Sequence, residues 1–347
     1  MGGTGVARVT VVMRALALFG LLVAVSGCPS PDAGDDASPT PMPVTDLASY
    51  LAACEDALGP FPDFVCEEGT EIPITVTDSA GTTTTVVFES DLENGALCDR
   101  PLGVGGCLPG SRVGTKTNAL GSTFTFVCRS YQFRAPGTVL YDDLGVIAQN
   151  PATGDACFFA MPIDGHEFDG TDIPRPGTQE DAEFFPDRPF WYTLPQIADA
   201  ACTQCHDNDP YIHTPAIEQT GQVPSQPLIP YQIVAASELN DLGSTSVWSP
   251  SRRLVAPAAA PCVGCHRLGE RFTCDLAQYA AGRTGALWGA GTEFREWPRS
   301  HWMDTFDDGA LASRFATEAE WDAVYGEAVD TITDCCNSPS TPGCWAE

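Results

Sequence analysis

Cys202-Thr203-Gln204-Cys205-His206 and Cys262-Val263-Gly264-Cys265-His266 repeat one pentapeptide, C-x-x-C-H, within a chain of 347 residues. Two thiols three positions apart lie on one face of a helical turn, and the histidine projects from the position beside the second. The chain holds 15 cysteines. Apart from these four and Cys28, ten remain: Cys54, Cys66, Cys98, Cys107, Cys128 and Cys157 before the pentapeptides, and Cys274, Cys335, Cys336 and Cys344 after them. Both groups are even, which predicts three disulfides upstream and two downstream, with the connectivity left open. Neighbouring Cys335 and Cys336 are expected to take different partners, because a vicinal disulfide is strained. Such cysteine use belongs to an oxidising compartment outside the cytosol.

A zinc ribbon sets its C-x-x-C pairs about 15 to 20 residues apart and has no need of either histidine. Here 55 residues separate His206 from Cys262. A thioredoxin-like dithiol needs a βαβ setting, which neither flank has. Covalent haem attachment uses all three residue types: the thiols reach the two vinyl groups of one porphyrin and the imidazole meets the iron. On these motifs the chain resembles the c-type cytochromes, and more loosely so over residues 190–347. The resemblance implies two c-type haems as cofactors, one on Cys202, Cys205 and His206, the other on Cys262, Cys265 and His266. Their role would be electron transfer.

A haem that only carries electrons needs a sixth ligand, and the choices are His166, His213, His301, Met161 and Met303. His213 lies seven residues past His206, a cramped path around its own porphyrin, so it is expected to cross to the second haem. His301 and Met303, two positions apart, share a face if extended, and only one of them can meet a given iron; methionine would raise the potential. His166 reads as a turn or surface histidine. No methionine lies between the pentapeptides, which favours one shared two-haem module over two independent His/Met units. Arg252, Arg253, Arg267 and Arg271 flank the second motif, either to neutralise haem propionates or to pair with nearby acids.

The N-terminal 28 residues read as a secretory signal: Arg8 and Arg14, an apolar run from Ala15 to Val25, then Val25-Ser26-Gly27-Cys28, which resembles the bacterial lipobox with Cys28 lipidated. Residues 29–46, rich in Pro, Asp, Ser and Ala, read as a flexible tether. The expected location is the bacterial cell envelope, with the lipid as the only membrane attachment. Seventeen basic against 46 acidic side chains, with Lys116 the only lysine, give a net charge of -29. That balance excludes nucleic acid as a partner and suits redox protein partners, basic ones included.

Residues 47–58 carry apolar positions at helical spacing with Thr45 as the expected N-cap. From about residue 70 the period becomes two: Ile72, Ile74 and Val76, a turn at 78–81, a return strand through Val86, then Phe124, Phe126 and Cys128, and a pair flanking the turn at 150–154. Near the end, Thr317 and Glu320 form a capping box ahead of a helix whose face would be Trp321, Val324, Tyr325, Ala328 and Ile332. The expected fold is α+β: a disulfide-stapled antiparallel β domain over 47–170, then a mainly α, loop-rich, two-haem cytochrome c-like domain over 171–347. Two other functions stay open at this level: a two-haem peroxidase-like oxidoreductase with one open iron, and a binding module in which the β domain does the specific work and the haems are accessory.

Overall fold

Asp46 caps the first helix, α1 (Leu47–Leu58), accepting from Ser49 N at 2.8 Å, while Ser49 Oγ accepts from Asp46 N at 3.0 Å. The cap is thus one residue later than Thr45, because a carboxylate followed at the third helical position by a hydroxyl completes a reciprocal pair. The helix buries Leu47, Tyr50, Leu51, Cys54 and Leu58, and ends at Gly59, whose φ of +83° suits only glycine. This computed structural model describes residues 43–77, 82–92, 98–100, 102, 106–200, 202–224, 231–242, 247–263, 267–274, 277 and 318–346. The signal segment, Cys28, the tether up to residue 42, and Cys265, His266, His301 and Met303 lie outside the described residues.

Of the twelve strands among the described residues, the first ten are β1 (Thr70–Glu71), β2 (Thr75–Thr77), β3 (Thr83–Thr85), β4 (Arg112–Thr117), β5 (Thr123–Arg129), β6 (Leu140–Tyr141), β7 (Asp143–Gln149), β8 (Asp155–Ala160), β9 (Phe168–Asp169) and β10 (Gln232–Ile233), and the last two, Arg253–Leu254 and Trp345–Ala346, pair with each other. Six of them build a sheet in the order β1-β4-β5-β7-β8-β10. Every pairing in it is antiparallel except β8 with β10, which arrives from beyond the first pentapeptide and lies parallel, Gln232 opposite Asp155. The period-two residues Phe124, Phe126 and Cys128 are buried on β5. β2 and β3 make the expected hairpin as a separate ladder, and Ile72, Ile74 and Val86 are buried beside it.

Short helices complete the middle of the chain: α2 (Gln179–Ala182), α3 (Leu194–Ala200), α4 (Cys202–Cys205), α5 (Pro215–Glu218), α6 (Ala236–Asp241) and α7 (Ala260–Val263). Packing runs across residue 170. Tyr50, Phe61, Phe124 and Phe159 share one core with Trp191, Ile197 and Trp248, and the Phe61 and Phe159 rings meet edge to face at 5.2 Å. A smaller core joins Leu254, Ala256, Ala259, Cys262 and Leu268 to the C-terminal helix, Glu318–Asn337. That helix buries Ala328, Val329, Ile332 and Cys335 while Val324 stays 47% exposed. The apolar stripe is therefore rotated from the sequence reading, with Val329 taking the inward place assigned to Val324.

Among the described residues, five disulfides staple the chain: Cys54–Cys157, Cys66–Cys128, Cys98–Cys107, Cys274–Cys336 and Cys335–Cys344. Three are upstream and two downstream, and Cys335 and Cys336 take different partners. The first ties α1 to β8 and the second ties the turn before β1 to β5, so both cross-link elements distant in sequence. The fold is α+β and disulfide-stapled. Among the described residues, no helix is long and apolar enough to cross a membrane.

Candidate functional site

Leu194, Ile197 and Ala198 anchor α3 in the main core and carry the chain into α4, the first pentapeptide. His206 N donates to Cys202 O at 2.8 Å, so the motif closes one helical turn. Thr203, between the thiols, is wholly buried, and its hydroxyl donates to Val247 O at 3.0 Å. Cys202 and Cys205 are free thiols. Burial pushes Cys205 up to about 11 and Cys202 up to about 12, so both are protonated at neutral pH. The His206 imidazole goes the other way: burial pulls it down to about 4, against the Pro210 carbonyl, and the ring is neutral. Its Nδ1 is buried with no hydrogen-bond partner, and the Phe158 ring lies 5.5 Å away. Tyr231 OH donates to the His206 carbonyl, tying the motif to the chain just ahead of β10.

The residues after this motif are held by residues on either side of the second. Asp207, wholly buried, accepts from Thr273 Oγ1 at 2.7 Å and from Arg271 N at 3.0 Å, and its carbonyl accepts from Ser251 N at 2.6 Å. Burial raises its carboxyl to about 6 against the pull of those donors. Asp209 pairs with Arg267 and accepts from Tyr211 N at 2.9 Å. Tyr211 in turn shares a hydrogen bond with Thr123 of β5 at 2.7 Å. The segment 207–211 therefore bridges the sheet and the flank of the second pentapeptide.

In that second pentapeptide, Cys262 on α7 is 7% exposed within the smaller core. His213 faces two carboxylates: Nδ1 is 2.5 Å from Glu218 Oε1 and Nε2 is 3.4 Å from Asp209. Burial works to lower its pKa, and the two carboxylates outweigh burial and raise it. Met161 is wholly buried in the main core, and His166 sits in a turn, 2.9 Å from Asp164. Arg252 pairs with Glu270 and Arg267 with Asp209, the acid-pairing role considered for these arginines, while Arg271 donates its guanidinium to Ser249 O at 2.8 Å.

No protein-family model, curated protein or solved structure matches this chain. The donor set at the first motif nevertheless suits a covalent haem. Two uncommitted, protonated thiols stand on one turn, next to a neutral imidazole with an unsatisfied buried nitrogen. Asp207, Asp209, Thr273, Tyr231 and Phe158 belong to this site and carried no sequence signal of their own beyond the run Asp207-Asn208-Asp209 next to the motif.

Proposed function

We propose that this chain is an electron carrier of the cell envelope, tethered by lipid at Cys28, with two covalently attached c-type haems. The observation that carries the reading is the partition of the cysteines. The ten outside the pentapeptides pair completely among themselves, and Cys202 and Cys205 of the first pentapeptide are free thiols. An oxidising compartment that closes ten thiols and spares a motif requires another use for the spared ones.

A c-type haem, when bound, supplies a one-electron iron couple. This chain's residues would do the rest. Cys202 and Cys205 would hold the porphyrin edge by thioethers, and His206 would present a neutral nitrogen to the iron. Phe158 and Trp248, packed 6.0 Å apart in the core below the motif, would keep water from that side. Cys262, Cys265 and His266 would do the same for the second haem, with His213, His301 or Met303 completing coordination. Redox partners would meet an acidic surface, which suits basic proteins.

The test is a haem count and visible spectrum of the full chain made with c-type haem maturation machinery. Two haems per chain, with spectra unchanged by carbon monoxide, are expected; a count of zero overturns the reading. A second reading, a haem oxidoreductase with one open iron, is favoured by the placement of both His213 ring nitrogens against carboxylates. A carbon monoxide shift in one haem would select it.

A further inference from the structure

We propose that Asp207 and Thr273 form a polar lock that registers the first attachment segment against the second, in place of the 55-residue connection between them. The inference rests on the two-haem reading and names the residue that sets the geometry of the pair. Asp207 directly follows His206, and its side chain is out of contact with water. A buried carboxylate persists only where its lone pairs are used. Here one oxygen accepts from the Thr273 hydroxyl at 2.7 Å and the other from the Arg271 amide at 3.0 Å. The Asp207 carbonyl accepts from the Ser251 amide at 2.6 Å.

All three donors come from residues 251–273, on either side of the second pentapeptide, so the contact joins the residue after the first motif to the flanks of the second. Thr273 is itself held, its hydroxyl accepting from Gly269 N at 2.8 Å. Gly269 leaves no slack: a Cβ there would stand 2.5 Å from Asp207 Oδ2 and 2.2 Å from Ser251 Oγ. The Asp209–Arg267 pair repeats the connection two residues further on. A carboxylate held from two directions and backed by a glycine admits one position, which is what a positioning residue requires. Asp207 touches no reacting atom. It acts through His206, by holding that residue's backbone against the flank of the second motif.

The test compares Thr273→Val, Thr273→Ser and Gly269→Ala in the full chain. Thr273→Val deletes the hydroxyl at nearly constant volume, Thr273→Ser keeps it, and Gly269→Ala displaces Asp207 from the other side. Three quantities are read: haem count, magnetic coupling between the haems together with the separation of their midpoint potentials, and hydrogen exchange at the Arg271 amide. Thr273→Val is expected to keep both haems, lose the coupling seen in the parent and shift the potential separation. Its Arg271 amide should exchange about tenfold faster, the loss of one buried hydrogen bond. Gly269→Ala should do the same, and Thr273→Ser should restore parental values. Parental coupling and potentials in both Thr273→Val and Gly269→Ala would overturn the lock, as would a parent without coupling. A parent chain with no haem sinks the two-haem reading separately, and Arg271 exchange alone then decides whether the lock exists.

Discussion

One pentapeptide is supported in two ways. The first grows from α3, rooted in a core of aromatic rings laid on a six-stranded sheet. Among the described residues, the second is flanked by a separate core of Leu254, Ala256, Ala259, Cys262 and Leu268 against the C-terminal helix, and by a two-residue ladder, Arg253–Leu254 against Trp345–Ala346. The sheet region joins an aromatic core and long ladders to three disulfides, whereas the described C-terminal residues join a smaller core to two. A cross-link lowers the entropy of the unfolded state, and it weighs more beside a smaller core. The same attachment chemistry therefore leans on a large core in one place and more heavily on its covalent links in the other.

The contrast can be broken by mutation. Trp191 is wholly buried among Phe61, Phe159 and Phe190, and its indole donates to Pro174 O at 2.7 Å. Trp191→Ala is expected to cost about 5 kcal/mol, by denaturant unfolding of the sheet signal. Equal loosening of the C-terminal helix in that variant would mean one cooperative unit and no contrast. Cys274→Ser with Cys336→Ser opens a link across 62 residues, worth about 4 kcal/mol in the loop-closure view. Limited proteolysis should then cut around residues 318–346 while 106–200 stays protected, and early cleavage in the sheet would refute it.

Smaller effects sharpen the picture on the sheet side. Asp46→Ala should lower stability by about 1 kcal/mol, read as a fall in the denaturant midpoint at unchanged slope, because α1 loses its reciprocal cap. The smallest effect is acid dependence at Asp164. Burial works to raise its carboxyl, but hydrogen bonds from Arg188 and His166 hold it at about 2 against an ordinary 3.8. A depressed carboxyl contributes stability that is present above about pH 4 and lost as pH falls through 2. Thermal melts between those limits should show a gentler acid slope in Asp164→Asn, and an unchanged slope would assign the acid loss elsewhere.

Much of this was legible because it depends on short-range rules. Parity among ten cysteines indicated five bridges, and the alternation of Phe124, Phe126 and Cys128 marked a strand, since period two is local. Connectivity was not legible: Cys54 finds Cys157 only because α1 lies against β8, a contact made across 103 residues. The cap of α1 went to Asp46 over Thr45 by one residue, a choice between two good caps that Ser49 settles. The rotation of the C-terminal helix came from what it packs against, Leu254 and Cys262, which its own periodicity does not encode.

The pentapeptides, the cysteine parity and the acidic balance were determined by the sequence itself, because thiol spacing along one helical turn and net charge need no partner. Only the tertiary structure decided that Asp207 meets Thr273 and Asp209 meets Arg267, contacts 66 and 58 residues apart. It also decided that His213 sits between Asp209 and Glu218. Such contacts are the work of chain path and burial, which collect donors and carboxylates from distant segments into one dry place. No local pattern in the sequence records which segments will meet.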